Sequence, residues 1–139
     1  MTRTSAALLL AALLAWTAGA AAQVDAQIEA AGRVVMRQLD AFRRDDFDAA
    51  FGFASAEIQE RFDRARFEAM VRNGYPEIAR SVWAVVDGGE RGAGGRLYLL
   101  VRVRGVNGRG IEAVYEMVRE DRGWRINGVV TRPDTSETA

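Results

Sequence analysis

Two apolar runs separated by a short turn signal constrain this chain more than anything else in it. Residues 96–104 read RLYLLVRVR and residues 111–120 read IEAVYEMVRE, both rich in the β-branched and aromatic types that suit a pleated, half-buried surface. Charge decides how they pair. A two-residue turn at Asn107-Gly108 would put Arg102 and Arg104 on one face and Glu112 and Glu116 on the other, so each face would bury charge. A three-residue loop, Val106-Asn107-Gly108, with Gly108 as the left-handed residue of a type I turn plus bulge, shifts the register by one. Arg102 then faces Glu112, and Leu97, Leu99, Val101 and Val103 share a face with Ile111, Ala113, Tyr115 and Met117. That face is a core surface. The opposite face sets Tyr98, Leu100, Val114 and Val118 among Arg102, Arg104, Glu112 and Glu116, a mixture that invites a partner.

The first 22 residues read as a secretory leader. Arg3 is a positive n-region, residues 6–16 are an apolar stretch too short to span a bilayer, and Ala20-Ala21-Ala22 fits the small-residue cleavage rule. Cleavage is expected after Ala22, giving a periplasmic or secreted protein. With no cysteine in the chain, neither a lipidated cysteine nor a disulfide framework is available. The 117 residues that remain suit one α+β domain over residues 23–131, which buries roughly two thirds of its unfolded surface, followed by a flexible tail over 132–139. All 19 basic residues are arginine, and removing Arg3 leaves 18 against 19 acids. This balance argues against a nucleic-acid footprint, which needs a concentrated basic excess. Guanidinium forks suit carboxylates and phosphates, but arginines interspersed with acids read first as a compositional bias.

Residues 23–44 form an amphipathic helix in which Ile28, Val35, Leu39 and Phe42 make one stripe. Asp40 lies about 130° from that stripe, on a solvated face where it pairs with Arg44, as Glu29 does with Arg33. It is therefore no pocket base. Asp45-Asp46 ends the helix and caps a second one over residues 47–53, whose phenylalanines fill the core. Ser55 caps a turn over 56–61, and Asp63 caps a helix over 64–73 with Phe62 and Phe67 spaced as a hydrophobic staple. Gly74 is expected to close that helix and Pro76 to prevent its resumption. Residues 81–86 then read as the first strand, the glycine-rich 87–95 as a loop, and 124–131 as the last strand after a turn at 121–123. The glycine-rich loop lacks the helix N-terminus that phosphate cradling requires. The order is helices followed by four antiparallel strands: an α+β fold with N-terminal helices on a curved sheet.

The segments QLDAF (38–42), FASAEI (53–58), FEAMV (67–71), GYP (74–76), YEMV (115–118) and GWRI (123–126) resemble the bacterial domain-of-unknown-function family 4864. The order of elements also resembles the nuclear transport factor 2-like, or cystatin-like, cone. That resemblance implies a curved sheet wrapped on a long helix, a cavity at the open end and frequent dimers. It carries no activity, because function resides in the site rather than the scaffold.

Without histidine or cysteine the chain lacks the side chains most used for proton shuttling, thiolate chemistry and transition-metal ligation. No catalytic, cofactor-binding or metal-binding residue is assigned. The sequence predicts a non-catalytic binding or protein-interaction domain, homodimeric through Tyr98, Leu100, Val114 and Val118. The alternative is a small-pocket isomerase- or hydratase-like enzyme, or a small-ligand carrier, using Tyr75, Tyr115 and Arg72. Trp83 and Trp124 are expected to anchor the core.

Overall fold

A computed structural model describes the backbone of residues 4–136 and the side chains of residues 17–136. Arg3 of the expected leader, the side chains of its apolar run and the last three residues of the expected tail lie outside the described set. The elements run α1 (Thr4–Arg43), α2 (Phe47–Gly52), α3 (Ala56–Arg61), α4 (Arg64–Gly74), α5 (Pro76–Ala79), β1 (Ser81–Arg91), a 3-10 turn (Ala93–Gly95), β2 (Leu97–Gly105), β3 (Gly110–Glu120) and β4 (Gly123–Pro133). The fold is α+β, with N-terminal helices packed on one face of an open antiparallel sheet of order β1-β2-β3-β4. Among the described residues, no helix is long and apolar enough to cross a membrane.

The hairpin β2–β3 takes the register that its charges demand. Arg102 pairs with Glu112, Leu99 with Tyr115 and Leu97 with Met117. Gly108 holds φ 83°, the Gly105 amide donates to the Arg109 carbonyl at 2.9 Å, and the Gly108 amide donates to Gly105 at 3.0 Å. Leu97, Leu99, Val101, Val103, Ala113, Tyr115 and Met117 are all buried, in one cluster with Val35, Leu39 and Phe42 of α1. Burial of such a face, at about 25 cal/mol per Å² of apolar surface, is the main stabilising term of the fold.

Short polar side chains set the helix boundaries. Asp45 turns the chain at φ 56°, and the Asp46 carboxylate accepts from the Ala49 amide at 3.1 Å. The Ser55 hydroxyl accepts from Ile58 at 3.2 Å, and Asp63 accepts from Arg66 at 2.8 Å. Each satisfies an amide that the first helical turn leaves without an internal partner. On the solvated face of α1, Arg33 pairs with Glu29 at 3.2 Å and Arg44 with Asp40 at 3.1 Å.

Several boundaries differ from the expectation. Helix α1 begins at Thr4, continuous with the apolar segment rather than starting at residue 23. Gly74 is the last residue of α4 and has no left-handed φ; Pro76 opens α5 as its first residue, where its missing amide costs nothing. Strand β1 runs on to Arg91 through the glycine-rich stretch, because a bulge between Val86 and Gly89 restores the pairing with Leu99, Tyr98 and Leu97. A second irregularity, between Ser81 and Trp83, sets Trp83 opposite Arg104 on the outer face. Trp83 is therefore 47% exposed instead of anchoring the core, whereas Trp124 is buried. Strand β4 extends to Pro133, two residues past the expected end. Arg132 donates to Glu112 at 2.6 Å, the Asp134 amide donates to Gly110 at 3.0 Å, and an edge strand tolerates proline.

Candidate functional site

The inner face of the sheet is not filled throughout. Helix α4 presents Phe67, Met70 and Val71 toward the sheet, and Tyr75 and Ile78 follow as the chain bends at Pro76. With Gln38 and Phe42 of α1, Tyr115 of β3 and Ile126, Gly128 and Val129 of β4, they line a partly open cavity of about 200 Å³. A water molecule occupies about 30 Å³ of liquid. The space therefore suits a compact small molecule rather than a nucleotide or peptide.

Three polar side chains meet this apolar wall. The Gln38 amide is held, its Nε2 donating to the Ala50 carbonyl at 3.0 Å, and the residue is 4% exposed. The Tyr75 hydroxyl donates to the Val129 carbonyl at a long 3.4 Å. The Tyr115 hydroxyl is buried and has no hydrogen-bond partner among the described residues. Burial raises its phenol pKa well above the ordinary value, so it stays a neutral donor at physiological pH. An unsatisfied buried hydroxyl costs about 1–3 kcal/mol. A ligand atom that accepts a hydrogen bond would relieve that cost.

The rim of the cavity is tied by a bulge in β4. Glu116 pairs with Gly128 and Met117 with Ile126, which leaves Asn127 as the extra residue. Its side-chain oxygen accepts from the Ser55 hydroxyl at 2.7 Å. The Ser55 amide also donates to Ile126 at 2.8 Å and the Ile126 amide to Phe53 at 3.0 Å, so the α2–α3 connection is fastened to the sheet edge.

Tyr75 and Tyr115, proposed from the sequence, come together at this cavity. Arg72 does not join them. It lies on the far side of α4, where it donates to Glu68 at 3.1 Å and to Asp45 at 3.3 Å, with its guanidinium 4.5 Å from the Phe47 ring centroid. Gln38 was not singled out from the sequence. Its place in a 34/38/41 stripe between buried Val34 and Ala41 was the available signal. The outer face holds the other proposed residues. Leu100 pairs with Val114 and Val114 with Val130, an apolar row across three strands in which Val114 is 38% and Val130 73% exposed. Tyr98 and Val118 flank it, half-buried.

The cavity lining contains no carboxylate, imidazole or thiol, and no cluster among the described residues could hold a metal ion. What the arrangement offers is a largely apolar pocket whose wall contains one buried hydroxyl without a partner among the described residues. A family model described as "Domain of unknown function (DUF4864)" matches residues 21–139. No curated protein and no solved structure matches the chain.

Proposed function

The chain belongs to the DUF4864 family, and on that premise we propose that it is a non-catalytic binding domain for a compact, uncharged small molecule. The observation that carries this reading is the Tyr115 hydroxyl, buried beside an apolar cavity without a partner among the described residues. Its ligand would be mostly apolar, with one carbonyl or ether oxygen accepting from that hydroxyl. Tyr75, whose own bond to Val129 is long, would adjust as the ligand enters. Helices over a sheet with a cavity beneath them are also what a nuclear transport factor 2-like cone would provide. That finer fold assignment belongs to the same proposal.

The reading includes export. The apolar stretch before Gln23 would direct the chain to the periplasm or the medium, and mass measurement on the exported product would then find Gln23 at its N-terminus. Native mass spectrometry on protein from an exporting bacterial host tests the binding reading. A reproducible small-molecule adduct is expected, weakened about tenfold in Tyr115→Phe, the size of effect that a lost hydrogen bond of about 1.4 kcal/mol produces. An adduct held equally by the variant would rule out the hydroxyl as the anchor.

The outer face supports a second reading, a homodimer through Leu100, Val114 and Val130 with Tyr98 and Val118 at the margin. The exposure of Val114 and Val130 in one cross-strand row favours it, since contiguous apolar surface marks interaction sites. Sedimentation at high micromolar concentration should give a dimer that Val130→Glu dissociates. A strict monomer would remove this reading and leave the cavity reading untouched.

A further inference from the structure

We infer that the chain carries a second binding site, an arginine-lined groove for a multiply charged phosphate group. The groove, of about 610 Å³, runs between α1 and the β3–β4 turn, and Arg33, Arg37, Arg119, Arg122 and Arg125 line it beside Trp124. No acidic residue lines it.

Helix α1 borders two grooves, and its Arg33 and Arg37 line both. Asp25, Glu29 and Asp40 line the groove on the β1 side, where Glu29 takes Arg33 and Asp40 takes Arg44. In the groove on the other side Arg33 brings its Glu29 pair with it, and the remaining four arginines differ from it. Arg37, Arg119, Arg122 and Arg125 form no ion pair with a carboxylate among the described residues. Most other arginines of the chain are paired, including Arg61, Arg64, Arg72, Arg80, Arg96 and Arg102. Glu120, beside this cluster in sequence, is used elsewhere and accepts from the Ala56 amide at 2.9 Å.

A second observation points the same way. Arg125 donates from one terminal nitrogen to the Trp124 carbonyl at 3.2 Å, while its Nε is buried without a partner among the described residues. The Arg119 guanidinium lies 5.7 Å from the Trp124 ring centroid, which fixes it by a cation–π contact and leaves its N–H edges available. Planar guanidinium forks bind tetrahedral oxyanions in pairs. Four uncompensated positive charges favour a dianion or higher over a single carboxylate. The groove is open, so a soluble phosphorylated compound and a phospholipid headgroup present the same chemistry to it.

The test is calorimetric titration of the exported full chain with pyrophosphate at low salt, alongside sedimentation with vesicles containing phosphatidic acid, whose phosphomonoester can carry two charges, or phosphatidylcholine alone. Saturable pyrophosphate binding, or binding to phosphatidic acid vesicles alone, is the expected result, and the two arms separate a soluble ligand from a headgroup. Arg37→Gln/Arg122→Gln changes two exposed side chains and should weaken the interaction at least tenfold with an unchanged melting temperature. Arg66→Gln, an exposed arginine outside the groove, should leave it within twofold. Absence of binding in both arms would overturn the inference. So would an equal loss in Arg66→Gln, which would reduce the effect to bulk charge.

Discussion

At the scale of single residues, the cavity's behaviour is governed by the Tyr115 hydroxyl. Burial raises its pKa, so above pH 10, where an unfolded tyrosine releases its proton, the native state binds more protons than the unfolded state. Stability must then fall as pH rises from about 10 toward the native pKa. Tyr115→Phe removes this contribution, and its alkaline unfolding limb should be shallower than that of the parent in urea titrations at pH 9 to 11. If the slopes are equal, the phenol is not shielded as described. Asp134 is perturbed in the opposite direction. The Ser136 hydroxyl and amide, then Arg102, hold its carboxyl below the ordinary range, which helps to fasten the chain end over the outer face.

Residue positions were legible in the sequence where they depended on periodicity and illegible where they depended on helix phase at a bend. Tyr115 followed from the hairpin register, because one charged pair, Arg102 and Glu112, fixed every other side chain. Arg72 was misplaced by one step. Phe67, Met70 and Val71 define the inward side of α4, and the next residue lies about 100° further round, facing Asp45 and Glu68 instead. Gln38 carries no such signal in its side-chain type, since a glutamine on a long helix is ordinarily solvated. Only the Ala50 carbonyl, supplied by a different helix, makes its burial affordable.

At the scale of elements, the account rests on caps and turns that were all short-range signals. Ser55 serves α3 and also ties that helix to Asn127. Ser55→Ala should therefore cost about 1–2 kcal/mol, the upper part of the range for a cap, in chemical denaturation. A loss below about 0.5 kcal/mol would show that the rim is fastened without it. Gly108 holds φ 83° with open space around it, so Gly108→Ala tests conformation alone and should cost about 1 kcal/mol. Gly105 differs. A Cβ there would lie 2.9 Å from the Cα of Glu77, so Gly105→Ala should destabilise by about 1–3 kcal/mol through overpacking of α5 on the hairpin. The sequence did not announce α5 at all, because a four-residue helix opened by proline has no periodicity to detect.

At the scale of the whole molecule, the layer order was readable from the succession of helical and alternating patterns, and the distribution of charge was not. Near-neutral composition concealed an arginine groove. Its two walls come from residues 33–37 and 119–125, too far apart in sequence for any local pattern to join. The molecule thus offers an apolar cavity between α4 and the sheet and a cationic groove beside the β3–β4 turn. The uncharged ligand of the first and the anion of the second should bind independently, since no residue lines both.

The central claim is that the Tyr115 hydroxyl is kept for a ligand rather than for the fold. Thermal unfolding of the parent and of Tyr115→Phe, each with and without cyclohexanone as a compact hydrogen-bond acceptor, tests it most directly. The account predicts that the variant alone is as stable as the parent or more stable, by about 1 kcal/mol, and that the ketone raises the melting temperature of the parent only. A variant destabilised by more than about 1 kcal/mol, with an undiminished response to the ketone, would contradict it.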